Sequence, residues 1–133
     1  MKEITKLMIR EFKIKEFNMD FMGFHLNKGD IYTAHHLIVP ARQGGKLEKW
    51  NTDILCGETS HPYLHLIENY DYDKFCYITS EMIDMNIKGY LDPYNIANIH
   101  AILDEFEAQH EGETTRKGKL LIKREYKQGR AVL

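Results

Sequence analysis

The stretch from residue 31 to residue 67 reads IYTAHHLIVPARQGGKLEKWNTDILCGETSHPYLHLI, and it decides the fold. Residues 31–33 and 37–39 are β-branched, aromatic or aliphatic, a composition that predicts an extended segment. Pro40 is predicted to end this segment. Residues 42–46 then form a polar, glycine-containing loop. The first half of the stretch therefore predicts one strand followed by a loop.

The second half of the stretch predicts a strand and a helix. Residues 54–56 form a short apolar run that fits a second strand. Ser60 is predicted to be the N-cap of a helix, because its hydroxyl can accept from a free backbone N–H of the first turn. Pro62 is tolerated in that first turn, where its missing N–H has no intrahelical partner.

Outside this stretch the hydrophobic periodicity predicts two more helices. Each shows apolar residues at steps of 3, 4 and 3, which places them on one helix face. Gly89 is predicted to end the first helix, and Asp92 with Pro93 to begin the second. Residues 3–17 are ambiguous between a helix and a helix followed by a strand. The predicted core-facing residues are Phe75, Ile78, Met82 and Met85 in the first helix and Ile96, Ile99, Leu103 and Phe106 in the second.

Composition limits the class of protein. The chain has 133 residues, of which 43% are hydrophobic and 29% charged, and its net charge is -2. These values predict one globular domain. No apolar run approaches the roughly 20 residues that a membrane-spanning helix needs, and the N-terminus lacks the apolar segment of a secretory signal. Two cysteines form neither a disulfide framework nor a C-x-x-C pair, so an intracellular, cytoplasmic location is expected.

The near-neutral total conceals an uneven charge distribution. Residues 67–115 contain 2 Lys/Arg and 11 Asp/Glu, whereas residues 116–133 contain 7 Lys/Arg and 1 Asp/Glu. We expect the acidic segment to be a solvated helix surface. A basic segment of this density could bind a phosphate backbone with release of counterions. The basic residues predicted to contact nucleic acid there are Arg116, Lys117, Lys119, Lys123 and Arg124.

Four of the seven histidines lie in the deciding stretch. His61 and His65 are four residues apart, so a helix places them on one face as a pair of metal ligands. The H-E-x-x-H metalloprotease pattern is excluded because Pro62 follows the first histidine, and the H-x-E…P-C-x-x-C pattern of zinc deaminases is absent. His35 and His36 point to opposite faces of a strand. One of them can complete a three-imidazole metal site and the other can serve as general base.

The whole set resembles the HNH endonuclease family. The matching elements occur in the family's order, and the steps from His36 to Asn51 and from His61 to His65 fit its spacing. The resemblance covers about 35 residues of the chain, and its motif consists of His35-His36-Leu37-Ile38-Val39-Pro40, Gly44-Gly45, Asn51, Leu55-Cys56, His61 and His65.

The resemblance implies an α+β fold with a ββα-metal core and additional C-terminal helices. The single domain would span residues 1–133, with the motif core at about 31–68, a helical extension at about 70–112 and a basic C-terminal tail at 116–133. Asn51 would fix the loop and help to orient a catalytic histidine.

The resemblance also implies a role for each histidine of the motif. His36 would be the general base, and His35, His61 and His65 would hold one divalent metal ion. Arg42 is a candidate phosphate contact. The metal would be Mg, Mn, Ni or Zn, and an all-imidazole set suits Mg least.

The sequence departs from the family in its cysteines. Only Cys56 occupies the region where many members carry C-x-x-C pairs, so no structural zinc is expected. We expect Cys56 and Cys76 to be buried thiols. Trp50 is expected to be a packing residue, and the remaining histidines are expected to be structural or exposed.

Two functions follow as expectations. The first is a metal-dependent endonuclease that hydrolyses phosphodiester bonds of DNA, either as a nickase or as a homodimer that cuts both strands. The second is a non-enzymatic or inactive HNH-fold binding protein of a phage or mobile element, for example an inhibitor of a host defence nuclease. Its protein partner would meet an acidic surface that imitates DNA. Neither function involves a membrane.

Overall fold

The computed structural model describes residues 1–132 and shows a mixed α+β architecture. Within these residues there are six α-helices and one two-stranded antiparallel sheet, with two short 3-10 helices between the strands. The elements in chain order are α1 (Glu3–Glu11), α2 (Ile14–Phe17), β1 (Tyr32–His36), the 3-10 helices Ala41–Gln43 and Lys49–Asn51, β2 (Thr52–Cys56), α3 (Ser60–Tyr70), α4 (Tyr72–Lys88), α5 (Pro93–Gln109) and α6 (Arg124–Gly129).

One hydrophobic core contains residues from both strands and from all six helices of the described chain. Strand β2 lies at its centre and is buried along its whole length. No helix within residues 1–132 has the length and apolar character needed to cross a bilayer.

The two strands pair in a register that places His35 opposite Asp53 and His36 opposite Thr52. The predicted strand at residues 54–56 is confirmed as part of β2. The first strand is shorter than predicted and ends at His36, so the extension to Val39 is wrong. The reason is that the backbone N–H groups of Ile38 and Val39 donate to the Asn51 side chain rather than to a partner strand.

The helix that carries His61 begins one residue away from the predicted position. Ser60 is the first residue of α3, and Thr59 occupies the N-cap, so the predicted Ser60 cap is wrong. The Ser60 hydroxyl instead donates to the carboxylate of Asp20 and lies 3.0 Å from the backbone nitrogen of Cys56. Asp20 is fully buried and also accepts from Cys56 N and Phe24 N. This network joins β2 to the start of α3.

The two long helices after α3 follow the sequence prediction closely. The side chain of Asp92 accepts from Tyr94 N, Pro93 is the first residue of α5, and Gly89 ends α4 with φ = 85°. In the predicted stripes every residue except Phe75, which is partly exposed, is buried. The ambiguous N-terminal region forms two helices, and Lys13 between them has φ = 53°.

The basic segment after α5 is folded onto the domain. Leu121 and Ile122 are buried and attach it to the domain, whereas Leu120 is 57% exposed. Helix α6 then inserts Tyr126 into the core, where its ring stacks on Tyr63 at a centroid distance of 4.5 Å. Burying a large aromatic ring stabilises this attachment by roughly 1.5–3 kcal/mol.

Candidate metal centre and cleft

Three imidazoles converge beside the sheet. His35 projects from β1, and His61 and His65 project from successive turns of α3. One nitrogen from each ring lies within 4.8 Å of the others, and the ring centroids are 5.1 to 5.4 Å apart. These three residues, called the histidine cluster below, could hold a metal ion.

Each ring of the histidine cluster has its Nδ1 engaged by a polar neighbour. His35 Nδ1 donates to Asp53 Oδ1 at 3.0 Å, and His65 Nδ1 donates to Glu68 Oε1 at 3.2 Å. His61 Nδ1 is 2.7 Å from Thr33 Oγ1. The Nε2 atom is therefore the nitrogen that each ring leaves for a ligand. Such partners are the usual way in which proteins orient metal-binding imidazoles.

The hydroxyl of Thr33 determines the tautomer of His61. Thr33 Oγ1 lies 3.1 Å from the carbonyl oxygen of Leu55, to which it donates its single hydrogen. It must then accept the hydrogen of His61 Nδ1, because a hydroxyl has only one proton to donate. His61 Nε2 consequently carries a lone pair, which is the form that binds a metal.

The electrostatic environment differs between the rings. Burial, together with the neighbouring imidazoles of His35 and His65, lowers the pKa of His61 to about 4. Burial also acts to lower the pKa of His35, but the charge and hydrogen bond of Asp53 outweigh it and the pKa is raised. At neutral pH His61 is thus an uncharged imidazole, and His35 is paired with a carboxylate.

His36 lies outside the histidine cluster. Its ring is partly exposed, and no hydrogen bond holds it to residues of the described chain. Asn51 is fully buried, and all four of its side-chain hydrogen bonds go to the loop after β1. Its Oδ1 accepts from Ile38 N and Val39 N, and its Nδ2 donates to Val39 O and Lys46 O. Asn51 therefore holds the loop in place, and its side chain makes no hydrogen bond to the His36 ring.

The histidine cluster and His36 open into a cavity of about 720 Å³, called the cleft below. The cleft is lined by β1 with the loop that follows it, by α3 and by α4. Arg42 lies on the rim of the loop side and is exposed. A cavity of this volume is in the range of small-ligand and substrate sites.

The five basic residues predicted to bind nucleic acid, Arg116, Lys117, Lys119, Lys123 and Arg124, are exposed, and none of them lines the cleft. Arg130, which belongs to the same basic segment, is only partly exposed and pairs with Glu107 and Asp104. The charge of Arg130 is thus paired with carboxylates of the same domain.

Outside the histidine cluster, the structure confirms some of the sequence predictions and contradicts others. Cys56 is buried as predicted, but Cys76 is exposed, so that prediction is wrong: Cys76 lies on the solvent side of α4, where it lines the cleft. Trp50 is 49% exposed, and its Nε1 donates to Glu48. His100 is buried with its Nε2 3.0 Å from the carbonyl oxygen of Met22, a structural role.

Sequence reasoning missed the residues that hold the histidine rings. Thr33, Asp53 and Glu68 belong to no motif, and the wall formed by α4 was not anticipated. Asp53 could have been found only from the strand register, because it is the cross-strand partner of His35. Glu68 lies three residues after His65 on the same helix, a spacing that already permits contact.

Comparison with known proteins gives no relative: no family model, curated protein or solved structure matches this chain. The functional argument therefore rests on the geometry of the chain's own residues.

Proposed function

We propose that this protein is a metal-dependent endonuclease that hydrolyses phosphodiester bonds of DNA at an HNH-type, ββα-metal site. The observation that carries the proposal is the histidine cluster, in which three imidazoles meet with every Nδ1 held by a neighbour. A fourth imidazole, that of His36, lies in the same cleft without a partner within the described residues. A ligand set and a separate free base are the two parts that hydrolysis by one metal requires.

His35, His61 and His65 are the residues that would hold the ion. A bound divalent ion would supply stabilisation of the negative charge that develops on the phosphate and on the leaving 3′ oxygen. Neutral nitrogen ligands favour Zn, Ni or Mn over Mg, which prefers oxygen. No cysteine of the described residues joins the group, so the set has three protein ligands, as in catalytic rather than structural sites.

The remaining residues perform the proton and positioning steps. His36 would accept a proton from the attacking water while the new phosphorus–oxygen bond forms and the bond to the 3′ oxygen breaks. Arg42 would contact a phosphate oxygen at the rim of the cleft. Asn51 holds the loop that connects these two residues, so it would act on their relative position.

One such site cuts one strand at a time. The protein would therefore be a nickase as a monomer, or a double-strand cutter as a homodimer. The exposed basic residues after α5 do not line the cleft, and they would contribute affinity that depends on salt.

The test is cleavage of supercoiled plasmid DNA with Mn²⁺, Ni²⁺, Zn²⁺ or Mg²⁺ and with chelator. We expect nicking that requires a divalent ion and that the His36→Ala variant loses by at least about 100-fold. His25→Ala is the matched control, because it removes an imidazole outside the cleft. Equal nicking by His36→Ala and the wild type would refute the assignment. A chain that cuts nothing but binds a protein partner independently of His36 would instead be the non-enzymatic binding protein.

A further inference from the structure

The wall of the cleft that α4 forms indicates what form of DNA enters it. We propose that the cleft accepts a single, unpaired DNA strand whose bases stack on the aromatic residues of α4. This inference rests on the proposed endonuclease function and specifies the form of its substrate: the plasmid strand that is nicked would be unpaired where it enters the cleft.

The first part of α4 presents aromatic and hydroxyl groups to the cleft. Tyr72 is 62% exposed, and its ring centroid lies 5.6 Å from that of Phe75. Thr79 and Ser80 follow along the same wall, and Ile38 on the loop side is 48% exposed. Exposed aromatic rings are a usual platform for single-stranded DNA, because every base has a face that can stack.

The wall cannot easily move aside to admit a duplex. Ile78, Met82 and Met85 anchor α4 in the core and are fully buried. At its C-terminal end Asn86 Nδ2 donates to Lys49 O at 2.9 Å and to Thr52 O at 2.8 Å, which joins α4 to the start of β2. Helix α4 is therefore held against the sheet that carries His35, and its position at the cleft is fixed by packing in the core.

The charges of the cleft also disfavour a duplex. Arg42 is the one Lys or Arg among the cleft-lining residues of the described chain, and Glu68 is an acidic group on the same surface. Residues 67–115, which include α4 and α5, contain 2 Lys/Arg and 11 Asp/Glu. A duplex carries two backbones, and proteins that bind one commonly neutralise several phosphates. A single strand needs fewer phosphate contacts here, because stacking supplies part of the affinity.

The experiment compares three 5′-labelled substrates of one sequence: a single strand, its complete duplex, and a duplex with an unpaired loop at the cleavage position. Cleavage is measured with Mn²⁺. Binding is measured by fluorescence anisotropy with the His36→Ala variant, in which the strand stays intact. We expect the single strand and the looped duplex to be cut and bound at least about tenfold better than the complete duplex.

The variant Tyr72→Ala tests whether the aromatic wall of α4 contributes to binding. We expect it to weaken single-strand binding by roughly 5- to 100-fold, the effect of removing one stacked base contact. Tyr77→Ala is the matched control, since Tyr77 lies on the same helix, is 50% exposed, and does not line the cleft. Circular dichroism and the midpoint of urea unfolding establish that both variants remain folded.

The outcomes separate this inference from the function on which it rests. A complete duplex that is cut as fast as the single strand, or equal binding losses for Tyr72→Ala and Tyr77→Ala, overturns the inference and leaves the endonuclease assignment standing. Absence of cleavage on every substrate refutes the endonuclease function. Binding of the single strand that still depends on Tyr72 would then support the cleft as a single-strand site without catalysis.

Discussion

Replacing Asp53 by asparagine should weaken the metal centre while preserving the fold. Asp53 is fully buried in β2, and its Oδ1 accepts the Nδ1 hydrogen of His35 at 3.0 Å. Its Oδ2 is buried and has no hydrogen-bond partner within the described residues. The carboxylate therefore acts mainly on one imidazole. Asparagine has the same shape and an oxygen acceptor, so the Asp53→Asn change removes the charge and little else.

The size of the effect follows from the role of such partners. The carboxylate holds His35 in the tautomer with a free Nε2 and increases the electron donation of that nitrogen. Loss of a partner of this kind costs about 10- to 100-fold in metal affinity, or roughly 1.4–2.8 kcal/mol. We expect a value within this range, because the side chains of His35 and Asp53 are 9% and 0% exposed and solvent screens the pair little.

The assay is isothermal titration with Zn²⁺ in the presence of a competing chelator of known affinity. Glu68→Gln is the matched control, since it removes the carboxylate that holds His65. The side chains of His65 and Glu68 are 49% and 25% exposed, so water can replace that contact and the loss should be smaller. Urea unfolding of the metal-free proteins measures whether either variant is destabilised.

The reasoning is refuted if Asp53→Asn binds Zn²⁺ as tightly as the wild type, or if it loses no more affinity than Glu68→Gln. The reasoning is also refuted if Asp53→Asn lowers the free energy of unfolding of the metal-free protein by as much as it lowers the free energy of Zn²⁺ binding. The substitution would then act on the fold and not on the imidazole.

Three further predictions concern the loop and the core. Asn51→Ala should lower the free energy of unfolding by about 2–5 kcal/mol, because four hydrogen bonds to the loop are lost; denaturant titration measures this. Gly45→Ala should reduce nicking more than it reduces overall stability, because an added Cβ would lie 1.9 Å from Val39 O and displace the loop; comparison of cleavage rate with unfolding midpoint checks it. Burial and the charge of Arg130 lower the pKa of His100 below its ordinary value of 6.5, so the unfolded chain binds more protons than the folded chain below that pH. The contribution of His100 to the free energy of unfolding is therefore complete above about pH 6.5 and is lost as the pH falls. The His100→Gln variant should lose less stability on acidification than the wild type, and urea titrations at a series of pH values measure this.

Much of the local structure could be predicted from residue type and spacing. The α4 and α5 helices follow from apolar steps of 3 and 4 and from the signals at Gly89, Asp92 and Pro93, which act within a few residues. The sequence predicts β1 too long because Asn51, 12 or more residues away, takes up the backbone donors of the loop. The predicted Ser60 cap also fails because of a distant residue: the Ser60 hydroxyl donates to buried Asp20, 40 residues away in the sequence.

The candidate site shows the same division between short and long range. The four-residue spacing of His61 and His65 is enough to place both rings on one face of a helix. The residues alone leave open which of His35 and His36 joins them, and only the family resemblance selects His35. The tertiary structure brings His35 to the cluster, because β1 packs with that face toward α3.

The sequence by itself determined the succession from β1 to α5, the histidine motif and the uneven charge along the chain, since each of these depends on neighbours within a few residues. It left residues 3–17 ambiguous and did not predict α6. Only the tertiary structure decided the partners of the rings, Asp53 and Thr33, and the position of α4 across the cleft. These features depend on strand register and helix packing. Register and packing are set by burial of the whole core, to which elements from every part of the described chain contribute.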